Sequence, residues 1–394
     1  MQRNRPIYLD NQATTPCDPR VVAAMLPYFS EAFGNPHSVE HALGREAEAA
    51  VARARAEVAA LIGATPREIV FTSGATESNN LAIKGAARFA ARMENPRRRL
   101  ITLATEHKCV LQATADLAEE GFEPVFLPVR PDGRLDPEAL RMALATPTLL
   151  VSVMAANNET GVLQDITALA ALAHQAGALF HTDAAQAVGK IPIDVTAQGI
   201  DLLSISGHKL YGPKGVGALY VRHRPRVRLA PLISGGGQER GLRSGTLPAP
   251  LIVGFGAACR IAGAEMAAEA ARLAGLRERL LARLGDAIPG ISVNGSREHR
   301  LAGNLNLAFP AARAETLLAD LPDLCLSTGS ACSSAAVEPS YVLGAMGVPA
   351  EVAARSLRIG IGRFTSAAEI DLAAAMLIAA HARNSEPQSE PQNA

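Results

Sequence analysis

The chain has 394 residues, more than one hydrophobic core usually organises, so a large domain with a smaller companion is expected. Its 38 basic and 38 acidic residues cancel, and tryptophan is absent, which removes the electrostatic and stacking arguments for nucleic acid or an anionic membrane. Cysteines at positions 17, 109, 259, 325 and 332 form no CxxC pair and are odd in number; this excludes a disulfide scaffold and the common zinc spacings, and sets the expectation of a reducing, cytoplasmic compartment. The start of the chain carries no signal-peptide core, and no apolar stretch is expected to be long and charge-free enough to cross a bilayer. The basic runs Arg97–Arg99 and Arg222–Arg228 read as solvated surface.

In chain order, Ser38–Ile62 repeats small and apolar residues at helical spacing and stops at Gly63, which predicts one long helix. His37 and His41 have the spacing of a helical zinc pair, but no third ligand is evident, so no metal is expected. From residue 65 to 221, short β-type runs alternate with helical stretches such as Gln164–Gln175. The predicted strands are Glu68–Thr72, Leu100–Ala104, Pro124–Leu127, Leu149–Met154, Leu179–Thr182, Leu202–Ile205 and Val216–Val221, the pattern of an α/β fold with a mostly parallel sheet. A second long helix is predicted over Leu251–Asp286. Short strands at Ser292–Val293 and Leu305–Phe309, with helices at Ala314–Leu321 and Ala367–Arg383, then suggest a smaller α+β domain. Residues 384–394 read as a disordered polar tail.

Several strand ends carry polar residues where open α/β sheets bind ligands. Lys209 follows the apolar run Leu202–Ile205 within Ser206-Gly207-His208-Lys209. A lysine there is either a solvated loop residue or an amine nucleophile; for the latter the obvious chemistry is a Schiff base with a carbonyl, pyridoxal phosphate being the commonest such cofactor. Thr72-Ser73-Gly74-Ala75-Thr76 precedes a helical pattern and is either an N-cap or an anion-binding turn. Asp183 is either a cap or a partner for a pyridinium nitrogen. Asn157-Asn158-Glu159 and Thr105-Glu106-His107 end two further strands. No GxGxxG follows a strand, and Pro213 occupies the P-loop lysine position after Gly207 and Gly212, which argues against a nucleotide.

Ser327–Ala336 is a run of ten small residues with Cys332 among them and no side chain to anchor it, so Cys332 reads as a reactive thiol on a weakly ordered loop. The other four cysteines read as buried small hydrophobes. Arg358 lies on the alternating segment Ser356–Arg363 and either pairs on the surface or holds a carboxylate.

Taken together, these motifs closely resemble the cysteine desulfurases of the NifS/IscS type, in the class V aminotransferase group of fold-type I pyridoxal-phosphate enzymes. The resemblance runs from Tyr8-Leu9-Asp10-Asn11-Gln12-Ala13-Thr14-Thr15-Pro16 to Arg363. It includes Gly34-Asn35-Pro36, Gly235-Gly236-Gly237-Gln238-Glu239-Arg240 and Arg243-Ser244-Gly245-Thr246. Its most specific part is Ser330-Ala331-Cys332-Ser333-Ser334 with Glu338–Leu343, which marks the long-loop branch. The fold implied is a seven-stranded, mostly parallel sheet in a large domain over residues 15–260. A smaller α+β domain, residues 1–14 and 261–383, would carry the cysteine loop.

The resemblance implies that Lys209 carries the cofactor and moves the α-proton. Asp183 would pair with the ring nitrogen, Gln186 with the ring oxygen, and His107 would stack on the ring and assist proton transfer. Asn158 would contact cofactor or substrate; Ala75, Thr76, Ser206 and His208 would hold the phosphate, with Thr246 supplied by the second subunit of a homodimer. Arg358 would bind the α-carboxylate of L-cysteine, and Cys332 would take its sulfur as a persulfide, leaving L-alanine. Acceptor proteins for iron–sulfur assembly or for tRNA or cofactor thiolation would follow. The short polar segment after Arg383, where the iron–sulfur branch is longer, leaves the acceptor open. Selenocysteine lyase, or another class V enzyme with no need of Cys332, is the alternative.

Overall fold

The buried apolar runs pair into a central sheet whose polar ends meet along one edge. The computed structural model describes residues 6–329 and 340–385. In chain order the strands are β1 (Ile7–Tyr8), β2 (Ile69–Thr72), β3 (Arg99–Leu103), β4 (Glu123–Leu127), β5 (Thr148–Ser152), β6 (Leu179–Asp183), β7 (Leu202–Ser206), β8 (Gly217–Val221), β9 (Ser292–Val293), β10 (Asn304–Ala308), β11 (Leu324–Cys325) and β12 (Ser356–Gly360). Seven of them form one sheet in the order β2-β8-β7-β6-β5-β3-β4. The inner strands β5, β7 and β8 are buried throughout, as expected where helices cover both faces. β4 lies at one edge, where Pro124 removes no ladder bond on the outer side.

Strand direction places the site. From β7 through β6, β5 and β3 to β4 every pairing is parallel. β8 runs antiparallel to both β7 and β2, so β2 runs the same way as β7. The C-terminal ends of β2, β3, β5, β6 and β7 therefore open on a single edge.

A core lies between one face of this sheet and the helices Ala42–Leu61 and Ala249–Ala287, with Phe71, Phe180, Ile252 and Phe255 at its centre. Phe71 and Phe255 meet edge to face at 6.4 Å. The two helices approach closely at Gly256, where a Cβ would stand 2.6 Å from Ala54 Cα. The first helix begins at Ala42 rather than Ser38 because His41 caps it, its Nδ1 accepting from Gly44 N at 3.1 Å. His41 thus has a structural task.

The helix Ala249–Ala287 is 39 residues long, about 58 Å at the α-helical rise, and it serves two cores. Its second half sends Leu273, Leu276, Leu280 and Leu284 into a cluster with Ile7, Leu9, Leu307, Leu357, Ile359 and Leu377. There β10 pairs with β9 and β12, and β1 lies parallel to β11. By length and composition alone this helix could cross a membrane, contrary to the expectation from sequence. Its alanines raise the apolar content, while Ile252, Phe255, Ile261 and Leu280 are packed inside the protein.

His181 ties the middle of the sheet together. It is fully buried on β6, with Nδ1 2.7 Å from Ser152 Oγ on β5 and Nε2 3.0 Å from Ser204 Oγ on β7. Burial pushes its pKa from 6.5 down to about 3. The folded value lies below the unfolded one, so the unfolded chain binds more protons between those limits. Stability is therefore complete above the unfolded value and is lost as pH falls through this window. The urea midpoint is expected to be lower at pH 5 than at pH 7, with a shallower dependence in His181→Gln. An identical pH slope in that variant would contradict this assignment.

Candidate active site

Lys209 reaches the common strand edge on a single turn of 3₁₀ helix, Gly207–Lys209, immediately after β7. Its Nζ donates to the backbone carbonyls of Gln12, at 2.5 Å, and Ala13, at 2.8 Å. It lines a cavity of about 390 Å3, within the range of small-molecule sites. Of the residues singled out from sequence, Ala75, Thr76, His107, Asn158, Asp183, Gln186, Ser206, His208 and Arg358 line this same cavity.

Asp183 ends β6 and is nearly buried. Its Oδ1 accepts from Ala185 N at 2.9 Å, so the carboxylate does cap the turn that follows. Its Oδ2 accepts from Asn79 Nδ2 at 2.7 Å. Asn79 stands on the helix Ala75–Arg92 and is fully buried. It was not singled out from sequence, because only the fold brings that helix against β6. Glu106, also fully buried, accepts from Met154 N at 2.6 Å. Burial raises its pKa well above the usual carboxylate value, and the nearby charge of Asp183 adds to this.

His107 caps the helix Lys108–Ala115, its Nδ1 3.3 Å from Cys109 N and 3.0 Å from Cys109 Sγ. Burial lowers its pKa; Asp183 opposes this, while Lys209 and Lys108 reinforce it. Cys109 lines the cavity, and burial pushes its thiol up to about 12. Of the four described cysteines only Cys259 is buried; Cys17, Cys109 and Cys325 are partly exposed. The expectation that all four are core residues fails because Cys109 sits at a helix start and Cys325 on a two-residue strand at the rim.

At the other end, Ser73, Gly74, Ala75 and Thr76 present the start of the helix Ala75–Arg92 to the cavity. Gly74 has φ +152° and open space where a Cβ would be, which leaves the approach to those N–H groups clear. Ser206 and His208 face it from the end of β7. His208 Nδ1 is 3.0 Å from Thr14 Oγ1. Burial, then Lys209, Lys214 and Lys190, bring its pKa to about 4, so it is neutral at physiological pH.

Arg358 comes from β12 in the second core, and its side chain is 2% exposed. Its Nη2 donates to Asp10 Oδ1 at 2.9 Å and its Nη1 to Asn158 O at 3.3 Å. Its Nε and Asn158 Oδ1 are buried with no partner, a donor and an acceptor on two residues that line the cavity, each costly to leave unmade. The surface-pair reading of Arg358 is excluded.

Two residues stand apart. Thr246 is exposed and does not line the cavity. Cys332 lies outside the described residues, and the flanks of that segment are placed beside the site. Ser327 forms a backbone bridge with Arg358, against the expectation that nothing in its run is anchored; main-chain pairing needs no large side chain. Ser340 Oγ donates to Glu159 Oε2 at 2.5 Å, and Tyr341 Oη to Glu106 O at 2.7 Å.

The cavity fits pyridoxal phosphate, the cofactor the sequence resemblance implies. It has an amine, a carboxylate at the end of the adjacent strand, an anion-binding turn, and two further lining residues, Arg358 and Asn158, each with a buried polar atom that has no partner. The aminotransferase class-V family matches residues 7–372. The chain is 54% identical to the cysteine desulfurase IscS of Rickettsia bellii over 372 residues, 94% of this chain and 90% of that protein. A solved structure of a NifS-like protein superposes with a TM-score of 0.87 at 37% identity, covering 96% of this chain and 99% of the other. A structure of SspA in complex with cysteine superposes with a TM-score of 0.80, also at 37% identity, covering 91% and 99%. With such matches along nearly its whole length, the chain belongs to the NifS/IscS-type cysteine desulfurases, pyridoxal-phosphate enzymes of the aminotransferase class-V family.

Proposed function

We propose that this enzyme takes sulfur from L-cysteine onto Cys332 and passes it to an acceptor protein, with the residues of the 390 Å3 cavity in the following roles. The observation that carries this reading is the convergence of Lys209, Asp183 and the unpartnered Nε of Arg358 on one cavity. When bound, pyridoxal phosphate supplies an aldehyde carbon for amines and a ring that accepts electrons from Cα. The phosphate would sit against Ala75, Thr76, Ser206 and His208, where neutral His208 can donate without competing for a proton.

Arg358 holds the substrate carboxylate through Nε, while Asp10 and the Asn158 carbonyl fix its remaining nitrogens. Asn158 Oδ1, unpartnered at the same wall, accepts from the ligand. Asp183 keeps a proton on the ring nitrogen, and Asn79 holds its carboxylate in place. Lys209 Nζ takes the substrate α-proton once it is freed, and the carbonyls of Gln12 and Ala13 limit where it can go. His107 lines the same cavity and would stack against the cofactor ring; its burial, which lowers its pKa, favours the neutral imidazole that can relay a proton.

Cys332 as thiolate attacks the substrate sulfur. The Cβ–S bond breaks, an S–S bond to Cys332 forms, and a proton adds to Cβ, giving L-alanine and a protein persulfide without any external oxidant. Ser327 and Ser340 flank the segment beside Arg358 and Glu159. Cys332 is five residues from Ser327, a span of at most about 18 Å, so it can reach the cavity wall. A homodimer is supported by the exposed position of Thr246, away from its own cavity. A cytoplasmic setting is supported by four described free thiols. Iron–sulfur cluster assembly or thiolation is the proposed destination of the sulfur.

Incubation with L-cysteine is expected to give L-alanine and a protein heavier by one sulfur on the Cys332 peptide. Lys209→Ala is expected to abolish turnover. Cys332→Ser is expected to keep the change in cofactor absorbance on adding L-cysteine but to stop sulfur transfer, since a hydroxyl is a far poorer nucleophile. Sulfur found on Cys109 or Cys325, or alanine formed by Cys332→Ser at the wild-type rate, would sink the mechanism. Arg358→Lys is expected to raise KM for L-cysteine at least about tenfold, because a point charge cannot reproduce the guanidinium fork; an unchanged KM would remove Arg358 from substrate binding.

A further inference from the structure

Lys190 is one of only five lysines in the chain, and the roles above leave it without a task. It follows Gly189 on the turns after β6 and lines a narrow second cavity of about 30 Å3 together with Asn11, Gln12, Tyr211 and Glu269. Gln12 lines this cavity and the large one, so the two are separated by little more than that residue. Lys190 Nζ donates to Gln186 Oε1 at 3.1 Å. Gln186 is 4% exposed and donates from Nε2 to Gln12 O at 2.9 Å. That carbonyl also accepts from Lys209 Nζ. Lys190 is thereby joined to the amine that carries the chemistry through one side chain, Gln186, and one backbone carbonyl, that of Gln12.

The polarity of this chain is fixed by its two ends. An amide has two arms of nearly equal shape and opposite hydrogen-bonding character, an ammonium can only donate, and a backbone carbonyl can only accept. With Lys190 on one side and Gln12 O on the other, Gln186 must turn Oε1 to the lysine and Nε2 to the carbonyl. Nε2 carries a second hydrogen, and Gln186 lines the large cavity. The charged groups facing Lys190 are Lys209, from the turn after β7, and Glu269, from the helix Ala249–Ala287; burial and then Lys209 bring the Lys190 ammonium down to about 7 while Glu269 opposes this, so it is the ammonium form below that value that orients Gln186. His208, on the turn after β7, also feels Lys190. Tyr211 is the other titratable group on the wall, its hydroxyl held protonated by burial and by Glu269.

We propose that Lys190 is a positioning residue that locks Gln186 with an N–H toward the ring oxygen of the cofactor, and so lowers the pH at which the linkage between Lys209 and the cofactor loses its proton. The inference rests on the roles given above to Gln186 and Lys209. Its physical basis is that loss of the linkage proton leaves negative charge on the ring oxygen. A donor to that oxygen stabilises the deprotonated form. Without Lys190 the Gln12 carbonyl alone orients the amide, so the N–H is held less firmly toward the ring oxygen and the deprotonated form loses part of that support.

The test is the midpoint of the pH-dependent visible absorbance change of the enzyme loaded with pyridoxal phosphate. Lys190→Met keeps the length of the side chain and suits a wall that already holds Met266 and Leu273. It is expected to move the midpoint upward by about half a unit or more, the scale of one charge-assisted hydrogen bond partly lost. Gln186→Ala is expected to shift it in the same direction, and the double variant to match Gln186→Ala alone. Lys190→Leu is read in the same way if the Met protein does not load with cofactor. A midpoint unchanged from wild type in both Lys190 variants overturns the proposal. So does a double variant whose shift is the sum of the two, which would mean that Lys190 acts by charge and not through Gln186. A wild-type protein with no titrating band would instead remove the roles of Lys209 and Gln186, and the inference with them.

Discussion

The grip of two backbone carbonyls on the Lys209 ammonium is the interaction around which the site is arranged. Gln12 and Ala13 come from the first residues of the described chain, and Lys209 from the end of β7, nearly two hundred residues later. Thr15 reinforces the junction: its backbone N and its hydroxyl both donate to His208 O, and its hydroxyl accepts from Tyr211 N. An ammonium withdrawn from water needs acceptors. Here two neutral backbone carbonyls, those of Gln12 and Ala13, supply acceptors. Two carboxyl groups of the site are held by other side chains, Asp183 by Asn79 and Asp10 by Arg358.

The same N-terminal stretch couples the two cores. Ile7 and Leu9 pack with Leu307 and Ile359 in the smaller one, and a few residues later Gln12 meets the strand edge of the larger one. Asn11 Nδ2 donates to Gly360 O at 2.8 Å, tying this segment to β12, the strand that carries Arg358. The residues that hold the reactive amine and the residue that faces it from the second core are thus fastened to one short piece of chain. Loss of packing at Leu9 would therefore disturb Lys209 and Arg358 together.

Much of this was legible in the sequence, for a reason particular to parallel sheets. Their strands are apolar throughout and end at one edge, so polar residues that close such strands, like Asp183, Asn158 and His107, are placed together by topology alone. Long-range partners were not legible. Asn79 reads as one polar residue in a helical pattern, and nothing in the sequence draws attention to Lys190; the packing of the helix Ala75–Arg92 on β6 and the turns after Gly189 give them their contacts. His41 drew notice only for its spacing from His37, and neither its helix cap nor the serine neighbours of His181 across the sheet can be read outside three dimensions. The bilayer-length character of Ala249–Ala287 was missed because scattered charges interrupt an alanine-rich run whose apolar side is consumed by two different cores.

The central claim is that one lysine of five carries the cofactor. Reducing the protein loaded with pyridoxal phosphate by borohydride fixes the cofactor covalently to the lysine that holds it, and peptide mass spectrometry then identifies that residue. The account requires the label on the peptide containing Lys209, at close to one per chain. A label on Lys190, Lys214, Lys108 or Lys84 instead, or no covalent label in protein that retains cofactor, would contradict it.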